Sequence, residues 1–333
     1  MHLPHTTPGV IPLSPASRLA SRITPIAAVA DDHPLGNCSV AILGLPDDTG
    51  ITLNNGRPGA AAGPAAFRAA LANYGVAEPA HASIALTYPA VYDAGDVSPA
   101  STDLAATHAR VTAAAEALHR RGIGVVVGIG GGHDLTFPLV RAAVNTRNVD
   151  RGLYVDPHLD VRPEPGSGMP FRALIEHCGI ARLTNIGCQP LVTLREHRAW
   201  FQLHGGTVAL DASDLETATP LTKALIDQLV TDALLPPTNP PADSSDTTTA
   251  FVSLDLDAID AAQAPGVSAL NPCGLSVASL GHFANAAGRN RHVVSFDIME
   301  LSPPHDHQNR TARVAAYLFL QFLGGLAVRA AAR

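Results

Sequence analysis

Three short segments gather histidine and aspartate in spacings that could hold metal ions: Gly130-Gly131-Gly132-His133-Asp134, Asp156-Pro157-His158-Leu159-Asp160 and Ser253-Leu254-Asp255-Leu256-Asp257. Each follows or ends an apolar run, and in open parallel sheets ligands bind at the carboxyl ends of strands. Alternate residues of an extended chain share a face, so Asp156, His158 and Asp160 are expected to project together, as are Asp255 and Asp257. Two carboxylates at one strand end repel unless a cation sits between them. Taken singly, the segments have plainer readings, a glycine turn for tight packing or a polar turn capping backbone groups. Counted as candidate ligands, Asp156, Asp160, Asp255 and Asp257 with His133 and His158 give four aspartates and two histidines. Such an oxygen-rich set suits Mn²⁺ or another octahedral first-row ion better than tetrahedral zinc. Six ligands exceed what one catalytic ion with an open position needs, whereas two ions sharing carboxylates use them all. The chemistry of such a pair is hydrolysis, because the ions generate hydroxide at neutral pH. The glycine turn lacks the lysine of a phosphate loop.

The elements that must position these residues alternate along the chain. Apolar runs at Val40-Leu45, Ile123-Ile129, Leu153-Asp156, Leu183-Ile186, Thr207-Leu210, Phe251-Asp255 and Val293-Ile298 read as strands. Asp103-Arg121, Leu191-Leu203, Leu215-Thr231, Val277-Ala287 and Thr311-Ala331 read as helices. Continuous apolar strands separated by helices imply a parallel sheet covered on both faces, a doubly wound α/β domain. The Pro/Ser/Thr/Asp stretch Leu235-Thr249 reads as a surface loop inside one domain. Glu300 stands at a fourth polar strand end, after Phe296-Asp297-Ile298-Met299, either to orient a cationic substrate or to support the ligands through hydrogen bonds.

The bulk numbers narrow the partners. A net charge of -7 with only 15% charged residues leaves no basic footprint for nucleic acid or an anionic membrane, so a small-molecule substrate is expected. Val314-Val328 is too short and too interrupted to cross a bilayer and reads as a core helix. Four cysteines without a CxxC pair fit a reducing, cytoplasmic setting. Residues 1–36 are expected to form a poorly ordered N-terminal extension rather than a transit peptide, with 37–333 as the catalytic domain.

The three motifs, in this order, resemble the GGGHD, DxHxD and SxDxD segments of the ureohydrolase superfamily of arginase, agmatinase and formimidoylglutamase. The resemblance runs from Gly44 to the C-terminal helix. It implies an arginase-like fold, one three-layer α/β/α domain with a mostly parallel sheet of about eight strands, assembled as a trimer or hexamer. It also implies two Mn²⁺ per subunit. His133, Asp156, Asp160 and Asp255 would bind one, and His158, Asp156, Asp255 and Asp257 the other. Asp156 and Asp255 would bridge, while Asp160 would steady the bridging hydroxide and serve as first candidate to protonate the leaving amine.

Finer features look most like formimidoylglutamase: Asn54-Asn55-Gly56-Arg57-Pro58-Gly59, Ser167-Gly168-Met169-Pro170-Phe171-Arg172 and Ala264-Pro265-Gly266-Val267-Ser268-Ala269. No HGxP histidine follows Asp160, and the place where arginases and agmatinases carry a guanidinium-binding glutamate, after Gly274-Leu275-Ser276, holds Ser279. The implied reaction is hydrolysis of N-formimidoyl-L-glutamate to L-glutamate and formamide, in histidine breakdown. The substrate's carboxylates call for cations, for which Arg172 and Arg57 are candidates beside Ser167, with Arg57 favoured as a structural ion-pair partner. The alternatives are a guanidino ureohydrolase releasing urea and a catalytically silent relative.

Overall fold

The fold is described from a computed structural model, which covers residues 3–332 apart from 13, 17, 37, 76–86, 212–220 and 237–247. Eight strands form a parallel sheet: β3 (Val40–Leu45), β4 (Val91–Val97), β5 (Val125–Gly130), β6 (Val149–Val155), β7 (Arg182–Cys188), β8 (Gly206–Asp211), β9 (Thr249–Asp255) and β10 (Val293–Met299). Their spatial order is β4-β3-β5-β10-β9-β6-β7-β8. Two short strands, β1 (Thr6–Thr7) and β2 (Thr24–Pro25), add to β4, and of all these pairings only β1 with β4 is antiparallel. The expected three-layer α/β/α architecture is therefore present.

Strand alternation divides the core between the two faces. Val125, Val127 and Ile129 point with Val40 and Ile42 toward one side, and Val126 with Ala41 and Leu43 toward the other. The first side is covered by α2 (Gly63–Leu71), α7 (Lys223–Leu234), α8 (Val277–Arg289) and α9 (Arg310–Ala331), through Phe67, Ile226, Phe283 and Phe319 among others. The second is covered by α3 (Leu104–Arg120), α4 (Thr136–Arg147), α5 (Pro170–Cys178) and α6 (Arg195–Leu203). A single turn, α1 (Thr49–Leu53), packs near the motif after β5. Helix α9 is long and apolar enough to cross a membrane, yet here it packs on α8 and α2 with Phe319, Phe322 and Leu323 fully buried. It does so closely because Gly288 faces Gly325, where an added Cβ would lie 2.1 Å from the Asn285 carbonyl.

Four expectations change. The described part of the N-terminal segment is ordered against the domain, with Leu3, Leu19 and Ile26 buried and Thr6 and Thr7 paired to β4. Strand β4 was missing from the sequence reading because Asp93, Gly95 and Asp96 resemble a turn. Buried Arg68 of α2 neutralises both acids, its Nε and Nη2 donating to Asp93 at 2.9 and 2.8 Å and its Nη1 to Asp96 at 2.6 Å. Helices α2, α4 and α5 were also missing. Each carries a proline in its first turn, Pro64, Pro138 and Pro170, where the absent N–H has no partner to lose. Finally, α7 starts at Lys223 rather than Leu215, the intervening residues before 221 lying outside the described set, as does most of the 235–249 loop.

None of Gly130, Gly131 and Gly132 has positive φ, so they supply room rather than an unusual turn. A Cβ on Gly131 would lie 2.1 Å from the Asp47 carbonyl oxygen and 2.5 Å from that of Leu45. Gly131→Ala is expected to destabilise the fold by about 1–3 kcal/mol, read by equilibrium urea unfolding. Unchanged stability would show that this loop can give way.

Candidate metal centre

Strands β5, β10, β9 and β6 are consecutive neighbours in the middle of the sheet, and their carboxyl ends deliver His133, Glu300, Asp255 with Asp257, and Asp156 with His158 and Asp160. The convergence is as expected, but its mechanism is different. Strand β6 stops at Val155 and β9 at Asp255, so neither acidic segment is extended. Instead each first aspartate folds the chain back on itself. Asp156 Oδ1 accepts from the His158 N–H at 2.6 Å, and Asp255 Oδ1 accepts from the Asp257 N–H at 2.8 Å, two copies of the same Asx turn. The other oxygen of each carboxylate is left to face inward. Asp160 and Glu300 complete the ring in left-handed backbone, with φ of 49° and 67°. Such conformations are unfavourable for acidic side chains and persist where the surroundings impose them.

The atoms converge on His133. Its Nδ1 lies 3.0 Å from Asp156 Oδ2, 3.1 Å from Asp160 Oδ2 and 3.0 Å from Asp255 Oδ2. Beside them, His158 Nδ1 lies 3.3 Å from Asp156 Oδ1 and 3.5 Å from Asp257 Oδ2. The potential ligand atoms form two groups, His133/Asp156/Asp160/Asp255 and Asp156/His158/Asp257, each within 4.8 Å, with Asp156 common to both. Despite these short separations, His133 Nδ1, Asp156 Oδ2 and Asp257 Oδ1 have no hydrogen-bond partner. Lone pairs aimed at shared points without hydrogen bonds are what cation ligands look like before the cation is added. The residues fit a pair of divalent ions.

A buried relay fixes the imidazole. His133 Nε2 donates to Ser253 Oγ at 2.9 Å, and that hydroxyl donates to Asp297 Oδ1. The acceptor below keeps the proton on Nε2 and leaves Nδ1 free to ligate. From the other side Glu300 Oε1 accepts from the His133 backbone N–H at 2.9 Å, while its Oε2 is unpartnered. Without cations the charges strain one another. Burial, Asp255 and Asp156 push Asp257 well above the carboxylate range. Burial and Asp156 push Asp160 up to about 6. Asp156 is the exception: against the cost of burial, His133 and His158 hold it down at about 2.

Above the ligands opens a cavity of about 160 Å³ whose walls include Asn54, Arg162, Ser167, Thr193, His197 and Ser268, with Asp160 and Glu300 at its floor. Ser167, a candidate substrate-binding residue from the sequence, lines this cavity. With its carboxamide oxygen turned toward the loop, Asn54 accepts from Ser167 Oγ at 3.0 Å and from the Gly168 N–H at 2.7 Å. Arg172 does not line the cavity. It pairs with Glu176 one helical turn away at 3.0 Å and stacks over Trp200 at 4.4 Å. Arg57 also lies outside, donating to the backbone carbonyls of Ser268 and Val267 at 2.9 and 2.7 Å, so its structural role is through carbonyls rather than an acid. The arginine that lines the cavity is Arg162, two residues after Asp160, a spacing that was the available signal in the sequence. Ser253 and Asp297 were also missed as supports, and Ser279 lies in the first turn of α8, where its N–H donates to the capping Ser276 Oγ at 3.0 Å.

Residues 38–324 match the arginase family. The chain is 31% identical over 306 residues to a formimidoylglutamase of Cupriavidus pinatubonensis, covering 86% of this chain and 87% of that protein. It is 32% identical over 306 residues to a formimidoylglutamase of Rhodococcus opacus, covering 87% and 86%. Among solved structures it is similar to a Trypanosoma cruzi formiminoglutamase with Mn²⁺₂, at a TM-score of 0.74 and 30% identity over 87% of this chain and 94% of that one.

His158 gives the centre a proton balance. Burial opposes its charge, but Asp156, Asp160 and Asp255 outweigh that cost and raise it to about 9. In the metal-free protein at neutral pH it is therefore protonated, and a ligating cation must displace the proton. Because the surrounding acids also raise His133, divalent-metal affinity should rise as pH climbs from 6.5 toward about 9, with proton release on binding. Calorimetric titration with Mn²⁺ in buffers of different ionisation enthalpy reads both. Affinity independent of pH across that window would refute the protonated state.

Proposed function

This chain belongs to the arginase family, and on that footing we propose that it is a dimanganese hydrolase cleaving N-formimidoyl-L-glutamate to L-glutamate and formamide. The observation that carries this reading is the pair of ligand groups sharing Asp156, with unsatisfied atoms turned toward one another at the floor of a small polar cavity. His133, Asp156, Asp160 and Asp255 would hold one Mn²⁺, and His158, Asp156, Asp255 and Asp257 the other. When bound, the ions supply a water-derived nucleophile at neutral pH and stabilise negative charge on the reacting amidine.

The protein's own groups account for the remaining requirements. Water adds at the amidine carbon, the bond from that carbon to the glutamate nitrogen breaks, and the departing amine takes up a proton. Asp160 lines the cavity and is placed to pass that proton on. Glu300 lines the cavity, where its unpartnered Oε2 would be available to a cationic amidine, while its Oε1 holds the His133 backbone in register. Ser279, a neutral side chain in the first turn of α8, offers no counter-charge to a guanidinium group, which disfavours the urea-releasing alternative. The reading places the enzyme in cytoplasmic histidine breakdown. It extends to a trimer or hexamer, for which exposed Leu191, Leu194 and Leu203 around α6 offer apolar surface.

Mn²⁺-loaded protein should release formamide and glutamate in equal amounts from N-formimidoyl-L-glutamate. Urea from guanidino compounds as the dominant product would overturn the assignment. Asp255→Asn should reduce hydrolysis to background and lower bound metal, with circular dichroism unchanged. Wild-type activity in that variant would remove Asp255 from the centre. Sedimentation should give three or six chains per particle, and a monomer at micromolar concentration would reject the assembly.

A further inference from the structure

The cavity contains one fixed positive charge for a substrate that carries two negative ones. Its other basic groups are His158, a candidate ligand, and His197, which burial and the neighbouring Arg162 hold below its ordinary value and so uncharged at neutral pH. The four aspartates of the candidate centre would be balanced by two divalent ions, and the remaining floor residue, Glu300, is an acid, so the floor itself offers nothing to a carboxylate. The remaining wall donors, including Ser167, Thr193 and Ser268, are neutral.

Arg162 lines the cavity and is exposed to solvent. Among the described residues its guanidinium has no hydrogen bond or ion pair, although Glu164 and Glu196 act with it on the same neighbour, His197. The backbone closes a loop beneath it, the Arg162 N–H donating to the Gly168 carbonyl at 2.8 Å. Gly168 makes room for the stem: a Cβ there would lie 2.9 Å from Arg162 Cδ and 3.0 Å from its Nε. Asn54 clamps the far side of the same loop through Ser167 and Gly168. Arg172, by contrast, already has a carboxylate partner and an aromatic face.

We propose that Arg162 is the specificity-determining anchor for one, and only one, of the substrate's two carboxylates, the other being met by neutral donors and water. This rests on the formimidoylglutamate reading and adds to it a rule for substrate choice: an amidine bearing a single, correctly placed carboxylate is still a substrate, and one bearing none is not. A guanidinium holds a carboxylate through two parallel hydrogen bonds, so the anchor supplies orientation as well as attraction.

The test measures formamide release by Mn²⁺-loaded wild type, Arg162→Gln, Arg162→Lys and the control Arg172→Gln. The substrates are N-formimidoyl-L-glutamate, N-formimidoyl-L-glutamine and 4-(formimidoylamino)butyrate, the last two each lacking one carboxylate charge. With the full substrate, Arg162→Gln should raise KM about 10- to 100-fold, Arg162→Lys should recover part of the loss, and Arg172→Gln should stay near wild type. The Arg162→Gln penalty should vanish on one analogue and persist on the other, which identifies the anchored carboxylate. A penalty that persists on both, vanishes on both, or is absent with the full substrate overturns the proposal. Absence of formamide from the wild type would instead reject the activity itself, so the two failures are distinguishable.

Discussion

Four aspartates and a glutamate meet in a space from which water is largely excluded, and the chain alone does not bring in enough positive charge to balance them. Carboxylates in that position repel and lose hydration, which is why Asp257 and Glu300 are pushed so far up. Flexible loops would relieve the repulsion by turning the acids outward to solvent. The central sheet prevents this because the residues hang from four adjacent strands whose interiors are fully buried. The rigidity of the sheet therefore converts electrostatic conflict into affinity for cations.

That conversion depends on details at the strand ends. The paired Asx turns spend one oxygen of Asp156 and one of Asp255 on the local backbone, fixing the direction of the other. Left-handed backbone at Asp160 and Glu300 turns the chain after its ligands have been placed. Beneath them, Ser253 and Asp297 select the tautomer of His133, so the sheet interior controls which nitrogen reaches the centre. Polar residues on β9 and β10, buried as completely as the aliphatic ones around them, are tolerated because they hydrogen-bond to one another.

Much of this was legible in the sequence. Apolar runs marked seven of the eight parallel strands, and the grouping of Asp and His behind them marked the centre. Alternation along a strand, however, was the wrong reason for the right convergence, since the turns begin where the strands stop. His133 became persuasive only through family resemblance, because a histidine after three glycines has no second ligand beside it. What stayed hidden were features whose meaning depends on distant partners. Asp93 and Asp96 make sense inside a strand only once Arg68 arrives from α2. Prolines in the first turns of α2, α4 and α5 look like breaks until the helices behind them are seen. Arg172 and Arg162 are both exposed-looking arginines in sequence, and only the third dimension shows that Trp200 and Glu176 have claimed the first.

The strand order has a consequence for how the protein is made. β5 and β6 follow each other along the chain, yet in the sheet they are separated by β10 and β9, which are synthesised more than a hundred residues after β5. A nascent chain that has emerged through Asp160, just past β6, holds His133, Asp156, His158 and Asp160 but has a gap where the two middle strands belong. No metal centre exists until residues 249–299 are threaded into that gap, so the long-range pairing that folds slowest is also the one that completes the site. A loaded centre thus reports that the two middle strands are in place, and metal supply during biosynthesis acts on a late step of folding rather than the first.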